Sequence, residues 1–221
     1  MEPNLIHNED KSTFAYEEIK KIIVRSQLSA SIPLSEAYFV SRLNISRTPI
    51  RAALQRLQHE GFLRIVPKQG IMIRELGFDE AFQLLEMRYV VERYLISRSV
   101  GTLDRKDFDH LYELIEQQKQ VAVAQNYEQY LELDERFHDY CYHHYKNKFM
   151  TDFLQNFRER FYSNRFRALM APGRLEQSIR EHEQFIETAR RNDFDTASRL
   201  LETHTLQMRR LMENKISVDN I

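Results

Sequence analysis

The chain has 221 residues, with 32 Lys and Arg against 33 Asp and Glu, and its net charge of −1 excludes a uniformly basic or acidic protein. Its single cysteine excludes a disulfide framework and is typical of the reducing cytoplasm. No segment is apolar and long enough to span a membrane, and the first fifteen residues lack a secretory pattern, so we expect a cytoplasmic protein without a membrane partner.

The charge is divided between two parts of the chain. Residues 11–75 hold eleven Lys and Arg against five Glu, a net charge of +6, and the remainder carries −7. Neutralising phosphates supplies most of the sequence-independent affinity for a DNA duplex. The basic part therefore favours double-stranded DNA as its partner over a membrane surface or an acidic protein.

Two helices are predicted at the start of the basic part. The segment from Tyr16 to Leu28 is amphipathic, and a second, short helix begins at the N-cap Ser35 and ends at about Leu43. Only three residues, 44–46, separate this second helix from a third one. A connection this short is typical of a helix-turn-helix.

The third helix has one apolar and one polar face. Ser46 is a good N-cap because its hydroxyl can accept a hydrogen bond from the first turn, and Pro49 is tolerated there. Gly61 follows the helix, where a left-handed backbone is common. The apolar stripe consists of Ile50, Ala53, Leu54 and Leu57. The polar face carries Arg47, Thr48, Arg51, Gln55 and Gln58. This polar face suits the DNA major groove, although an ordinary surface helix can also carry two arginines.

A β-hairpin is predicted after the third helix. Residues 62–66 and 71–73 are short β-rich runs on either side of the turn Pro67–Gly70. Three helices and a hairpin form a winged helix-turn-helix, which we place at residues 11–75. Lys68, at the tip of the wing, is positioned to contact phosphate or the minor groove.

Residues 79–214 are predicted to be entirely helical, which makes the fold mainly α. Gly101, Gly173 and Pro172 are the only glycines and the only proline in this part. Apolar periodicity predicts about six helices in an antiparallel bundle with its own core. Their approximate ranges are 79–100, 104–124, 126–145, 147–168, 173–191 and 193–214.

Four residues of the bundle are placed to bind a metal ion. Asp134 and His138 lie at i and i+4, on one face of a helix. His182 and His204 each lie eleven residues from Asp193, at the turn between the last two helices, so an antiparallel hairpin brings them level. Such nitrogen and oxygen ligands suit zinc, nickel or manganese. Ordinary polar core or surface histidines are the alternative at this point.

Two further functions are open for the bundle. A metal-dependent hydrolase needs a base, and Glu135 and Glu181 are the only additional candidates, both expected at helix surfaces. The bundle can also serve only as a dimerisation scaffold. A ferritin-like di-iron site is excluded because it needs two Glu-x-x-His motifs, and the chain has one, ending at His138.

Four segments of the basic part form a pattern that is specific to one family. These segments are Ser46–Arg51, Leu54–Leu57, Glu60–Leu63 and Pro67–Gly70. With them, residues 14–74 resemble the GntR family of bacterial transcription regulators, which are not enzymes. The resemblance implies that Arg47 and Arg51 read operator bases or contact their flanking phosphates. It also implies that the wing with Gly70 enters the minor groove.

Two departures from the family pattern concern docking on DNA. The usual Gly-x-Leu-x-Pro-Gly turn between the first helices is replaced by a sequence with Ser26, Ala30 and Ser31, so we expect a remodelled loop. Ala37 follows Glu36 where many relatives carry a basic residue, so we expect one contact to phosphate or base to be missing.

The bundle also matches a family pattern. Its matching residues are Asp134, Phe137–His138, Glu181–His182 and His204, with Asn147, Asn192, Asp193 and Ala197 at related positions. This pattern resembles the metal-binding FCD domain of the FadR subfamily. The resemblance implies that the first Asp and the three His hold a divalent metal, with zinc favoured over nickel and manganese, and that the metal helps to bind a small organic acid. Arg88 is the suggested partner for the acid's carboxylate, with Arg165 and Arg167 as further candidates, although arginines in this acidic part are typically solvated.

Together these patterns predict a bacterial repressor or activator that binds operator DNA as a homodimer. A two-fold dimer places two recognition helices on a short inverted repeat. A small-carboxylate effector is expected to change the relative orientation of the two winged domains, and the linker near residues 74–78 is expected to carry that change.

Overall fold

The computed structural model describes residues 8–25, 32–74 and 76–219, and it divides the chain into two compact units, Met1–Gly77 and Phe78–Ile221. The first unit is a winged helix-turn-helix and the second is a helical bundle, which confirms the predicted mainly α fold class. The remodelled loop expected at Ser26, Ala30 and Ser31 lies outside the described residues.

The first unit contains three helices and a two-stranded sheet. The helices are α1 (Asn8–Arg25), α2 (Glu36–Leu43) and α3 (Arg47–His59), and the strands are β1 (Leu63–Val66) and β2 (Gly70–Ile73). Helix α1 begins eight residues before the predicted Tyr16. The apolar stripes of the three helices meet in one core, which includes Ile19, Phe39, Ile50, Leu54 and Leu57. This core holds α3 by its apolar side.

The helix caps of the helix-turn-helix agree with those predicted from the sequence, with one exception. The Ser35 hydroxyl accepts a hydrogen bond from the Tyr38 N–H at 3.1 Å, and Asn44 ends α2 in a left-handed conformation, with φ of 53°. Ser46 occupies the N-cap position of α3, but its side chain makes no capping hydrogen bond within the described part of the chain, so that prediction was wrong. The reason is partly local, because Pro49 fills the third helical position and has no N–H to offer.

The end of α3 is set by Gly61. Gly61 adopts φ of 81°, its N–H donates to the Gln58 carbonyl at 3.0 Å, and the N–H of Phe62 donates to the Leu57 carbonyl at 2.9 Å. This pair of hydrogen bonds satisfies carbonyls that the helix leaves unpaired, and it turns the chain into β1. The predicted helix end at Gly61 is confirmed.

The wing is a hairpin that is tied to both neighbouring helices. Strands β1 and β2 are antiparallel, with Val66 opposite Gly70, as predicted. Leu34 and Ile71 exchange backbone hydrogen bonds of 2.7 and 2.8 Å, and the Gln58 side chain accepts from the Ile65 N–H at 3.0 Å. The wing is therefore a fixed extension of the helical core.

Gly70 is required by the backbone, and we expect Gly70→Ala to lower the free energy of unfolding of the first unit by about 1–3 kcal/mol. Its φ is 106°, and a Cβ would lie 2.6 Å from the Leu34 carbonyl oxygen. Chemical denaturation combined with hydrogen exchange at the Leu34 and Ile71 amides measures the loss. Gly77→Ala is the matched control, since its added Cβ meets no described atom within 4 Å. Equal protection of both amides in the two variants would contradict the prediction.

The second unit consists of helices joined by short turns. They are α4 (Phe78–Ser99), a 3-10 turn (Val100–Thr102), α5 (Arg105–Val123), α6 (Tyr127–Cys141), α7 (Lys148–Arg160), α8 (Tyr162–Leu169), α9 (Arg174–Arg190) and α10 (Phe194–Asp219). Helix α10 packs on α9 and α4, and α5 packs on α6 and α9. Within the described residues, no helix combines the length and the apolar character that a membrane crossing needs.

Three helix boundaries in the bundle differ from the predicted ranges, and one of them is the end of α10, which lies at Asp219 and not at 214. The predicted helix 126–145 ends at Cys141, and residues 142–145 form turns. The predicted helix 147–168 is divided at Phe161 into α7 and α8. Leu154, Phe157 and Phe161 are buried before the break, and Tyr162, Arg165 and Leu169 are buried after it. The break moves the buried stripe forward by one residue.

The predicted helix starts in the bundle are confirmed at two aspartates. The Asp104 carboxylate accepts from the N–H groups of Lys106 and Asp107, in a capping box that begins α5. The Asp193 carboxylate accepts from the Thr196 N–H at 3.2 Å at the start of α10. Asn192 has φ of 63°, a conformation that asparagine tolerates better than most residues other than glycine.

Candidate functional site

The polar face of α3 is presented to solvent. Arg47, Thr48, Arg51 and Gln55 are exposed, whereas the apolar stripe on the opposite side of the helix is buried. Gln58 is exposed too, but its side chain is bound to the wing. The predicted reading face therefore exists as a contiguous surface on a rigidly held helix.

Arg51 has a protein partner on this face. Its Nε donates to both carboxylate oxygens of Glu36, at 2.9 and 2.8 Å, although the Arg51 side chain is still 60% exposed. An exposed pair of this kind adds little stability. The Glu36 contact orients the guanidinium, whose remaining N–H groups extend beyond the carboxylate.

The wing tip presents one basic side chain. Lys68 is exposed and adopts φ of 64° in the turn between β1 and β2, and Gly70 follows it. The structure supplies a backbone reason for Gly70, as described above. The turn is short, so both residues lie at the outer end of the hairpin.

Three imidazoles and one carboxylate converge inside the second unit. Asp134 and His138 come from α6, His182 from α9 and His204 from α10, and all four residues are buried. The Nε2 atoms of His138 and His204 lie 3.2 Å apart. Asp134 Oδ1 lies 3.8 Å from His138 Nε2 and 3.6 Å from His182 Nε2. His182 and His204 thus lie at the same height on the two helices that meet at the Asp193 turn, as predicted, and their ring centroids are 4.6 Å apart.

The outer atoms of His182, His204 and Asp134 are held by a second layer of side chains, whereas His138 Nδ1 has no hydrogen-bond partner among the described residues. His182 Nδ1 lies 3.0 Å from Gln118 Oε1, and His204 Nδ1 lies 2.7 Å from Glu181 Oε2. Because an amide oxygen and a carboxylate accept hydrogen bonds, both rings carry their proton on Nδ1 and direct the Nε2 lone pair toward the centre. Arg165 donates to Asp134 Oδ2 at 3.0 Å, so Oδ1 faces the three rings.

Burial and charge set the protonation of the cluster. Burial holds the pKa of His138 well below its usual value and lowers the pKa of His182 to about 3, so both rings are neutral at pH 7. Burial opposes ionisation of Asp134, but its interactions with Arg165 and with the surrounding histidines in their protonated form outweigh burial and hold the pKa of Asp134 well below the usual range. Burial likewise opposes ionisation of Glu181, yet His204 and Arg174 lower its pKa to about 2.

The residues of the cluster fit a divalent metal ion. His182 Nε2 is buried and has no hydrogen-bond partner among the described residues, which is costly unless a ligand occupies the centre. Ligand atoms about 2.1 Å from a four-coordinate ion lie roughly 3.4 Å from one another. The separations of 3.2–3.8 Å in the cluster are close to this value. Neutral imidazoles and an ionised carboxylate are also the protonation states that a metal requires.

Arg88 is buried beside this cluster. Its Nε donates to Glu92 Oε2 at 3.0 Å, Thr205 donates to the same oxygen at 2.8 Å, and the guanidinium lies 5.1 Å from the Phe157 ring centroid. The Arg88 charge also contributes to the lowered pKa of His138. A buried arginine with further N–H donors thus lies near the four-residue cluster, and its role in binding a carboxylate stays a prediction.

The sequence expectations were wrong for two supporting residues and missed a third. Arg165 is buried and bound to Asp134, whereas solvation was expected; Arg167 is exposed. Glu181 was expected at a helix surface, but it binds His204 and Arg174. Gln118 was not identified at all. A signal for Gln118 existed, since it interrupts the apolar stripe of α5 formed by Leu111, Leu114, Ile115 and Val121.

The same contacts weaken the hydrolase alternative. Glu135 accepts a hydrogen bond from Arg165, and Glu181 is engaged by His204, Arg174 and Gln177. Each of these carboxylates already accepts a hydrogen bond from a neighbouring arginine. Neither is poised as the base that such a reaction needs.

Two family models match the chain. The model of the bacterial regulatory proteins of the gntR family matches residues 11–73, within the first unit. The model of the FCD domain matches residues 83–207, more than half of the chain, within the second unit.

Three bacterial transcription regulators are similar to this chain in sequence. The HTH-type transcriptional repressor RspR of Escherichia coli K12 is 21% identical over 189 residues, which cover 86% of this chain and 83% of the relative. The HTH-type transcriptional regulator YdhC of Bacillus subtilis 168 is 20% identical over 190 residues, with 86% and 85% covered. The Nta operon transcriptional regulator of Aminobacter aminovorans is 31% identical over 106 residues, with 48% and 50% covered.

A solved structure supports the same fold. Escherichia coli McbR/YncC superposes with a TM-score of 0.79 at 20% identity, over 93% of this chain and 98% of that chain. The two family matches therefore coincide with the two units of the structure. The chain belongs to the GntR family of bacterial transcription regulators, in the FadR-type subfamily with an FCD domain; these are DNA-binding regulators rather than enzymes.

Proposed function

We propose that this regulator binds operator DNA as a homodimer in the bacterial cytoplasm and that a small organic acid, held at a metal centre in its FCD domain, controls the binding. The observation that carries the proposal is the convergence of three buried imidazoles and one carboxylate in the FCD domain of a DNA-binding chain. Such a centre can bind a ligand without catalysing a reaction, which suits a regulator. A bundle that serves only as a scaffold has no reason to bury these four groups together.

For the DNA contacts, the exposed face of α3 supplies the reading residues. Arg47 and Arg51 are assigned to base edges or their flanking phosphates, and Thr48 and Gln55 to the same groove. Lys68 is assigned to phosphate or the minor groove, with Gly70 allowing the wing backbone to approach closely. These assignments rest on the exposure of the α3 residues, the rigid attachment of the wing and the net charge of +6 over residues 11–75.

For the metal, zinc is the preferred occupant. Asp134, His138, His182 and His204 supply three nitrogen atoms and one oxygen atom, a donor set that suits zinc. Nickel and manganese are the alternatives, and elemental analysis of the protein purified without added metal distinguishes them. The metal, when bound, supplies an open coordination position that attracts a carboxylate. The guanidinium group of Arg88 supplies a positive charge and hydrogen-bond donors for the same carboxylate.

We expect Arg88→Gln to weaken binding of a small carboxylate by roughly 10- to 100-fold, the equivalent of one or two charge-assisted hydrogen bonds. A thermal-shift screen of mono-, di- and tricarboxylates on the zinc-loaded full chain identifies the acid, and calorimetry then measures its Kd. Arg93→Gln is the matched control, because Arg93 lies on the same helix with 60% of its side chain exposed. Equal affinities in the parent and Arg88→Gln would remove Arg88 from the site.

The control of DNA binding is tested with the same acid. A ligand shifts an equilibrium only if it binds the DNA-competent and incompetent forms with different affinities. DNA affinity is therefore measured with and without the acid at saturating zinc. An acid that binds tightly but leaves DNA affinity unchanged would contradict the regulatory part of the proposal.

The dimer is supported by an apolar surface on α4. Met87, Val90 and Tyr94 lie at helical spacing and are 51, 57 and 43% exposed. Contiguous exposed apolar side chains of this kind mark interaction surfaces.

We expect sedimentation velocity to give the mass of a dimer for the parent and the mass of a monomer for Val90→Glu. The control is Val123→Glu, which changes an 88% exposed valine on α5 and should remain dimeric. A monomeric parent at micromolar concentration would contradict the dimer.

A further inference from the structure

A second cluster of metal-ligating side chains lies apart from the buried centre. It consists of Asp107, in the first turn of α5, and of His143 and His144, in the turn that follows α6. One ligand atom from each residue lies within 4.8 Å of the others. Asp107 is eleven residues from Gln118 on the same helix, about 16 Å along its axis, so this surface cluster is separate from the layer that supports His182.

The shortest contact in the surface cluster is a hydrogen bond between His144 and Asp107, and the whole group is compact enough to hold one ion. His144 Nε2 lies 2.9 Å from Asp107 Oδ2, and His143 Nε2 lies 3.5 Å from Asp107 Oδ1. Two ligand atoms about 2.1 Å from one ion are roughly 3.0 Å apart at a right angle and 3.4 Å apart at a tetrahedral angle. The carboxylate thus faces both imidazoles at the spacing that a shared ion imposes.

The hydrogen bond made by His143 Nδ1 leaves Nε2 directed toward Asp107. His143 Nδ1 lies 2.6 Å from the Tyr140 carbonyl oxygen, which only accepts hydrogen bonds, so Nδ1 carries a proton. In the neutral ring, Nε2 then has a lone pair directed at the Asp107 carboxylate, a repulsive contact. Either a second proton on the ring or a cation bound by both groups removes the repulsion.

The surrounding residues hold the three ligands in place. The Asp107 carboxylate accepts from the Asp104 N–H at 2.8 Å and from the Tyr140 hydroxyl at 3.1 Å, which fixes its orientation. The His143 ring stacks on Tyr140 with centroids 4.2 Å apart, and the His144 ring lies 4.0 Å from the His143 ring. Pre-positioned ligands lose little entropy when an ion binds.

We propose that Asp107, His143 and His144 form a second divalent-metal site, which links the start of α5 to the turn after α6. Two imidazoles and one carboxylate suit zinc, nickel, cobalt or copper, and water completes the coordination. The side chains of the two histidines are 37 and 38% exposed, so ions exchange directly with solvent. The site therefore differs from the buried centre in access and does not depend on it.

The test counts zinc ions bound to the full chain without a histidine tag. Protein stripped by chelator is dialysed against buffered free Zn²⁺, and bound zinc is measured by elemental analysis. We expect two equivalents for the parent, one for the double variant His143→Gln/His144→Gln, one for His182→Gln, and none for the triple variant. Glutamine keeps a polar donor near Asp107 but removes the imidazole nitrogens. His59→Gln/His110→Gln, which removes two imidazoles from outside both clusters, is expected to keep two equivalents.

A second measurement locates the ion independently of stoichiometry. In His182→Gln, zinc should shift the ring ¹⁵N signals of His143 and His144 and leave those of His59 and His110 in place. The proposal is overturned if His143→Gln/His144→Gln binds as much zinc as the parent, or if the ring signals of His143 and His144 do not respond. The charge facing Asp107 is then a proton on His143. If the buried centre alone fails to bind zinc, the ring signals of His143 and His144 still test the surface site.

Discussion

We expect Zn²⁺ to raise the melting temperature of the second unit of the chelator-treated protein by about 10 °C at a free concentration 1,000 times its Kd. Binding to the folded form alone at that ratio stabilises it by about 4 kcal/mol. In a unit of this size, 1 kcal/mol corresponds to roughly 2–4 °C. The effect is large because His138, His182 and His204 are brought together only by folding, so the unfolded chain offers no comparable site.

Scanning calorimetry of His182→Gln is the decisive comparison. The variant removes one imidazole nitrogen from the centre and should lose nearly all of the zinc-dependent increase. His110→Gln, which changes a half-buried histidine on α5 outside the buried cluster, is the matched control and should keep the increase. The surface variant His143→Gln/His144→Gln should also keep most of it, because all four residues of the buried centre are intact in that variant. No increase in the parent, together with no metal by elemental analysis, would eliminate the buried metal centre.

The second large effect is expected at the reading helix. Arg47→Ala and Arg51→Ala should each weaken binding to the selected operator by roughly 5- to 150-fold, the equivalent of about 1–3 kcal/mol. Both guanidinium groups are exposed on α3, and Arg51 is oriented by Glu36. The ion pair with Glu36 is exposed, so its loss should change stability little. The reduction therefore reports DNA contact rather than unfolding.

The operator for this measurement is obtained by selection from random duplexes, and an inverted repeat is the expected outcome for a dimer. Affinity is then measured over a salt series for the selected sequence and for an unrelated duplex. A base contact lowers affinity mainly for the selected sequence, whereas a phosphate contact lowers both and reduces the salt dependence. Arg105→Ala removes the same charge from an exposed position in the second unit and is the control. If both α3 variants bind like the parent, the reading residues lie elsewhere.

Local sequence patterns were sufficient to predict much of the fold, because the interactions that set it join residues close together in the chain. The helical spacing of Ile50, Leu54 and Leu57 predicted the buried stripe of α3, and Gly61 predicted its end, since both depend on residues within a few positions. The break at Phe161 was not predicted. It depends on where Tyr162 finds space in the core, which neighbouring sequence does not specify.

The four residues of the buried cluster were predictable from residue counting together with the family resemblance. Asp134 and His138 share a helix face, and His182 and His204 are equidistant from one turn, so counting residues places each pair correctly. The supporting layer has no such regularity. Gln118 is on α5, and its contact with His182 spans 64 positions in the chain. Glu181 and Arg165 appear from sequence as ordinary surface charges.

By itself, the sequence determined the two-part organisation, the winged helix-turn-helix and the four residues of the buried cluster, because periodicity, capping and turn residues act over a few positions. Tertiary structure alone decided which side chains surround that cluster, how Arg51 is oriented by Glu36, and that Asp107 meets His143 and His144. These contacts join residues that are 15 to 64 positions apart. They exist only after the helices have packed, since burial then selects which polar groups must become partners.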